Sequence, residues 1–345
     1  MKRPRKRKHH PDERKKTATR PTLARGDEGP DVAYMQSLLP HEYDGDFGPA
    51  TENEVRRFQQ TRGLTIDGVC GPLTWAALEA HAPPIVPEPP PGLPAALSAE
   101  RQAEIERIAA NSEIRSYNWL DRGVMPAGYT MGCALAWANT YRQFKAGWPP
   151  AVEMAQANTG NSDKDVFSWE RGRFEAVGMP NEVSGVETLR HLWVYILGLG
   201  ARESSGKHCC GRDQSVPPGY YGDPSTTTEA GAWQTSWDAH GCSDNMDLLF
   251  DTFERRGAQG FLDAFEQGVT CSASDWECFG EGDGRIHQEM SKDEPAYAAE
   301  YAGVCLRNLR QHYGPVGRRE VEIQTAADAM LREVQDYVDL SEPVA

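Results

Sequence analysis

No stretch of this chain is apolar for long enough to cross a membrane, which takes about 20 consecutive apolar residues in a helix. The basic start is not followed by the apolar core of a secretory signal peptide. Neither a membrane partner nor a Sec leader is expected. Cysteine is sparse, eight in 345 residues, too few for a disulfide scaffold at this length. One or two disulfides formed after export are expected. Cys209 and Cys210, being adjacent, do not suit each other. A zinc site from His208, Cys209, Cys210, His240 and Cys242 lacks the C-x-x-C spacing of such centres, so no metal and no cofactor is expected. Runs of alternating apolar and polar residues are missing, which excludes a strand-built fold and leaves a mainly α class. Positive charge is scarce beyond the first 20 residues. Those hold ten Lys/Arg against Asp12 and Glu13, whereas the chain totals −15 and the remainder is near −23. The block at residues 1–20 reads as a disordered basic tail. The acidic remainder speaks against a nucleic-acid partner, whose binding face would extend beyond the tail.

What the chain does have is a repeat. Asp44-Gly45-Asp46-Phe47-Gly48-Pro49-Ala50-Thr51 returns 23 residues later as Asp67-Gly68-Val69-Cys70-Gly71-Pro72-Leu73-Thr74. Asp-Gly opens a tight turn. Gly-Pro prepares a helix start, with Thr expected as its cap. Residues 52–63 between the copies carry Val55 and Phe58 and stop at Gly63. Gly29-Pro30-Asp31 upstream opens a further turn and helix.

With Trp75 after the second copy, residues 23–78 resemble the small three-helix peptidoglycan-binding domain of cell-wall hydrolases. That resemblance implies a wall-binding role for Asp44, Gly45, Phe47, Asp67, Gly68 and Trp75, with peptidoglycan glycan strands as the partner. Beyond this domain, set at 21–81, residues 82–97 are rich in proline. Such a segment favours an extended, semi-rigid spacer, and a second domain follows at 98–345.

The second domain reads as helical. Helices are expected at about 98–112, 131–144, 189–203, 247–256, 260–268, 295–312 and 326–340. The most apolar carries Leu192, Trp193, Ile196, Leu197 and Leu199. Glu203 follows Leu192, Ile196 and Leu199 in steps of four and three, which puts it on their face. Desolvation and the negative end of the helix dipole both disfavour its charged form, as a general acid at neutral pH requires.

The segment Gly198-Leu-Gly-Ala-Arg-Glu203-Ser204-Ser205-Gly206, followed by Glu229-Ala-Gly-Ala232-Trp233-Gln234, resembles the goose-type lysozyme and soluble lytic transglycosylase superfamily. The fold implied is an α-helical lysozyme-like domain. The resemblance implies that Glu203 is the catalytic acid and that Ser204, Glu229, Ala232, Trp233 and Gln234 line the sugar cleft. Ala-Trp stands where Leu-Met is usual, and residues 209–222 look like an insertion. Tyr301 or Tyr297 would replace the tyrosine of the missing Tyr-Asn-Ala-Gly segment. Trp233, Trp237 and Tyr220 are aromatics suited to stacking on sugars or to packing.

Glycoside hydrolysis ordinarily needs a second carboxylate. Asp213 is the first choice, with Asp223 and Glu229 behind it. Asp283, in Gly280-Glu-Gly-Asp-Gly, lacks the spacing of an EF-hand Ca²⁺ loop. The expected protein is a monomeric endolysin-like muramidase cleaving the MurNAc–GlcNAc bond. It would be made in the cytoplasm and reach the wall by lysis or a dedicated secretion system. A lytic transglycosylase, or a catalytically idle wall-binding protein of a virion or secretion device, are the alternatives.

Overall fold

The computed structural model describes residues 20–36, 38–39, 45–62, 64–80, 93–212, 215, 217, 219–256 and 258–342. The basic tail up to residue 19, the linker segment 81–92, Asp44 and Asp213 lie outside them. The chain divides into two compact units, Met1–Ile85 and Val86–Ala345.

In the first unit, α1 (Pro30–Gln36), α2 (Pro49–Thr61) and α3 (Pro72–Ala80) surround Leu23, Val32, Met35, Phe47, Val55, Cys70, Trp75 and Leu78. Both repeat prolines occupy the first helical position, where the missing N–H costs nothing. The threonines do not cap. Thr51 and Thr74 sit in the third position of their helices and anchor a buried glutamine from the preceding helix. Gln36 donates to Asp46 O and Thr51 Oγ1, both at 3.0 Å, and accepts from Gly45 N at 2.8 Å. Gln59 donates to Val69 O at 2.9 Å and Thr74 Oγ1 at 3.1 Å, and accepts from Gly68 N at 2.9 Å. The repeat therefore begins eight residues earlier than its Asp-Gly, at Gln36 and Gln59, and each glutamine staples one turn.

The second unit comprises α4 (Ala99–Asn111), α5 (Ala127–Lys145), α6 (Pro149–Met154), α7 (Val166–Trp169), α8 (Arg171–Ala176), α9 (Val186–Ser204), α10 (Pro224–Thr227), α11 (Asn245–Arg256), α12 (Leu262–Phe265), α13 (Asp283–Asp293), α14 (Pro295–Asn308), α15 (Gly314–Gly317) and α16 (Thr325–Ser341). A short hairpin with a three-residue loop, residues 120–122, pairs β1 (Asn118–Trp119) antiparallel to β2 (Gly123–Val124). Residues 128–143 of α5, 188–201 of α9 and 295–307 of α14 are buried without a break. A helix buried on all sides belongs to the middle of a domain, and these three pack on one another while α4, α6, α11, α13 and α16 cover them. The helix expected at 260–268 is only one turn, Leu262–Phe265, and the one expected to reach residue 312 ends at Asn308.

The central packing encloses a carboxylate that the apolar pattern did not single out. Glu300, on α14, is wholly buried, and Oε1 accepts the Thr140 hydroxyl at 2.7 Å while Oε2 has no partner among the described residues. Burial pushes its carboxyl up to about 8. Because the folded-state value lies above the ordinary one, the folded protein holds this proton more tightly than the unfolded chain. The associated stability is complete below about pH 4.5 and is lost as pH rises through 8. Glu300→Gln stays neutral throughout. Its unfolding free energy relative to wild type is expected to rise between pH 5 and 8, by on the order of 1.4 kcal/mol per pH unit, with the melting temperature rising alongside. Parallel melting curves across that range would show that Glu300 does not titrate there.

Candidate active site

Glu203 occupies the last turn of α9, and the way this helix ends sets its position. Ser205 takes the left-handed conformation at φ 56°, and its N–H returns to Ala201 O at 3.1 Å. Gly206, at φ +73°, returns its N–H to Gly200 O at 3.2 Å. The first is the closing bond of a left-handed helix cap, and the second ties the following residue to the same turn. Ser204 belongs to the same cap, with Oγ donating to Gly200 O at 3.2 Å and accepting from Lys207 N at 3.0 Å.

Gly200 has no room for a side chain. A Cβ there would run into the Tyr129 hydroxyl and lie 2.8 Å from Trp233 Nε1. Through this bare face Tyr129 Oη donates to Leu197 O at 2.6 Å, and Trp233 Nε1 donates to Ile196 O at 2.8 Å. Two aromatic side chains thus clamp the helix just before its last turn.

Burial pushes the Glu203 carboxyl up to about 8, and the charge of Glu229 adds to the rise. Arg318, Arg122 and Arg202 pull the other way. Two of these cations are engaged with a different acid: Arg202 and Arg318 reach Glu320 at 3.1 and 2.9 Å. Desolvation therefore dominates, and the group is protonated at neutral pH. Tyr313, fully buried, also feels the Glu203 charge.

Glu229 is carried by a tight turn. Ala230 N donates to Thr235 O at 2.9 Å and Thr235 N to Ala230 O at 3.1 Å, while Gly231 N donates to Cys210 O at 2.9 Å. The last bond ties this turn to the segment leaving Glu203. Gln234 lies in the turn at φ 46° and donates to Gly231 O at 2.9 Å. The structure thus brings Glu203, Ser204, Glu229 and Gln234 into one neighbourhood.

Other expected site residues do not present side chains there. Ala232 and Trp233 lie in the same turn but are fully buried, so a sugar ring has no access to their side chains, and Trp233 instead holds α9 through Ile196 O. Tyr301 is fully buried as well and donates to Ser236 O at 2.9 Å. Of the aromatics suited to stacking, Trp237 is half-buried and lies on the His240 ring at 3.6 Å, whereas Tyr220 is exposed beside Tyr221. Asp223 caps α10, accepting from Ser225 N and Oγ at 2.8 Å. Asp283 is the first residue of α13.

The cysteines separate. Cys209 and Cys271 form a disulfide. His240 faces Asp247 at 2.7 Å, and Cys242 lies against Cys305. The five residues weighed for zinc do not share one centre.

In the first unit, Glu28, Gly29, Pro30, Ala33, Gly45 and Asp46 line a shallow concavity beside the first repeat turn. Phe47 and Trp75 are buried supports, Trp75 Nε1 donating to Pro21 O at 2.7 Å. Gly45 and Gly68 take φ of +80° and +73°. Exposed Asp67 is held below the ordinary carboxylate range by hydrogen bonds from Val69 N and Gln59.

Residues 29–78 match the family model described as "Putative peptidoglycan binding domain". The first unit is a peptidoglycan-binding domain. The chain as a whole is mainly α-helical. Over 70 residues the chain is 39% identical to an uncharacterized protein in the bpoA1 3′ region of Kitasatospora aureofaciens, covering 18% of this chain and 59% of that one. The chain thus spans less than two thirds of that relative. Over 237 residues it is 26% identical to the zinc D-Ala-D-Ala carboxypeptidase of Streptomyces albus G, covering 64% of this chain and 80% of that one. A crystal structure of Burkholderia AP3 phage endolysin aligns over 93% of this chain and 100% of its own, at 14% identity and a TM-score of 0.17.

The carboxypeptidase's name raises the question of zinc. Among the described residues, the one trio of His, Cys, Asp or Glu side chains with ligand atoms close together is His208, Cys209 and Cys271. Two of these three are bonded to each other. That leaves a single imidazole, and the trio does not fit a catalytic zinc.

Proposed function

We propose that the chain is a peptidoglycan-cleaving glycosidase. In this reading residues 21–81 hold the wall, the linker 82–97 tethers them, and Glu203 of the domain 98–345 protonates the glycosidic oxygen between N-acetylmuramic acid and N-acetylglucosamine. The observation that carries it is a carboxyl raised to about 8 at the end of a buried helix. That group can give up a proton at neutral pH, and a general acid in this role contributes roughly 10²–10⁴-fold. Glu229, whose charge reaches Glu203, is the second carboxylate in this reading, ahead of Asp213. A wall-binding domain on a tether raises the local concentration of the catalytic domain on an insoluble polymer.

The test is a mass spectrum of soluble products from purified sacculi. A hydrolase using Glu229 to activate water leaves muramic acid with a free reducing end. A transglycosylase, in which the muramic acid C6 hydroxyl displaces the leaving group, gives the 1,6-anhydro sugar, lighter by one water. Reducing ends are expected, because no Tyr-Asn-Ala-Gly segment is present. Anhydro products would retain Glu203 and remove Glu229 as the water-activating base. Products shortened only in their peptides would overturn the glycosidase reading.

A further inference from the structure

We propose that Cys242 and Cys305 are a second disulfide site, closed by exchange with a small-molecule disulfide such as oxidised glutathione. This bond fastens the segment after the Glu229–Gln234 turn to the central helix α14. It is independent of the chemistry at Glu203.

The two sulfurs are 3.8 Å apart, and both cysteines are free thiols. Their surroundings divide the work. Cys305 is wholly buried on α14, beyond the reach of a bulky oxidant. Cys242 is half-buried and ends the short 3-10 turn Trp237–Cys242, so an oxidant meets it first. Its thiolate attacks one sulfur of the glutathione disulfide. The S–S bond breaks, one glutathione leaves and takes up a proton, and Cys242 carries the other as a mixed disulfide. Cys305, having given its proton to solvent, then attacks Cys242 Sγ and expels the second glutathione. Two protein thiols are oxidised, and one disulfide is reduced to two thiols. Burial and the neighbouring sulfur push the Cys305 thiol well above its ordinary range, so little of it is thiolate. Proximity at 3.8 Å offsets that small fraction by making the second attack intramolecular.

The seam is already docked without the bond. Tyr301, on the same helix as Cys305, donates to Ser236 O at 2.9 Å, and the Ser236 hydroxyl meets His312 Nε2 at 3.2 Å. A covalent link adds to an existing contact and needs no rearrangement of the fold. It also crosses the first disulfide in sequence, since Cys242 lies between Cys209 and Cys271 and Cys305 lies beyond them. The unfolded chain would carry two interlocked closures. For a link across 63 residues a rise in melting temperature of roughly 5–15 °C is expected.

The experiment uses the full chain, incubated folded with oxidised glutathione, then acid-quenched, unfolded, alkylated and mapped without reduction. A peptide linking Cys242 to Cys305 is expected, with a higher melting temperature than Cys242→Ser treated in the same way. Cys305→Ala should stop at the first step and accumulate one glutathione on Cys242. Full alkylation of both cysteines after oxidation would overturn the proposal, as would linkage of Cys242 to Cys210 or Cys278. Absence of the glutathione adduct in Cys305→Ala would overturn the order of the two steps.

Discussion

Glu203→Gln is expected to lower the release of soluble fragments from purified sacculi by at least ~10²–10⁴-fold, while binding to intact sacculi through the N-terminal unit is unchanged. The substitution keeps the shape and neutrality of the protonated acid and removes only the proton it can give. Its melting temperature should therefore equal that of wild type below about pH 4.5 and exceed it as pH rises toward 8, where the unfolded wild-type chain has already lost the proton. The pH dependence of the wild type carries the same expectation. In the proposed reading the acid form is the active one, and the carboxyl is raised to about 8 by burial and by Glu229. Activity should hold through neutral pH and fall as pH rises through that value. Turbidity clearance measured from pH 5 to 10 checks this, and near-normal clearance by the Gln variant would move the acid elsewhere.

The largest loss of stability is expected far from that site. The Arg307 guanidinium, on α14, is buried against Asp165, with Nε 2.9 Å from Oδ1. It also donates to Met154 O at 3.0 Å, Gln156 O at 2.5 Å and Ala157 O at 2.9 Å, and lies over the Phe167 ring at 4.4 Å. One cation thus satisfies three carbonyls, from the last residue of α6 into the connection after it, and holds that connection to α14. Arg307→Leu leaves those acceptors and a buried carboxylate without their partner. Breaking one side of such a pair costs about 3–5 kcal/mol, which in a unit of this size lowers the melting temperature by on the order of 10 °C. Arg307→Leu/Asp165→Asn should recover part of the loss, because the uncompensated charge is gone. A single-variant loss below about 1 kcal/mol, from denaturant unfolding, would refute the account.

Several features were legible in the chain before any packing was known. The 23-residue repeat predicts its own turns and helix starts, because Asp-Gly and Gly-Pro act over three or four residues. The buried helix around Leu192–Leu199 is legible because every face is apolar, and Glu203 falls in phase with it. Helix α13 was not legible. Of the residues it buries, His287, Gln288, Ser291 and Lys292 are polar and Met290 is the one large apolar side chain beside Gly284; a helix satisfied by distant carbonyls, as when Lys292 Nζ meets Glu277 O at 2.7 Å, has no apolar period to read. The Gln36 and Gln59 staples lie within the same repeat period but act across eight to fifteen residues, so their purpose emerges only when the turns close over them.

Trp233 shows the boundary most plainly. Its neighbours Ala232 and Gln234 fit a cleft-lining motif, yet the ring packs against bare Gly200 and donates to Ile196 O. Spacing determined the 23-residue repeat with its turns and helix starts, the most apolar helix and the phase of Glu203, since these depend on neighbours within a few residues, while the repeat's wall-binding role came from its resemblance to a family. Tertiary structure alone decided which carboxylates lose water, which aromatics are core, and that Glu229 stands near Glu203, since desolvation and charge coupling depend on segments tens of residues apart meeting in space.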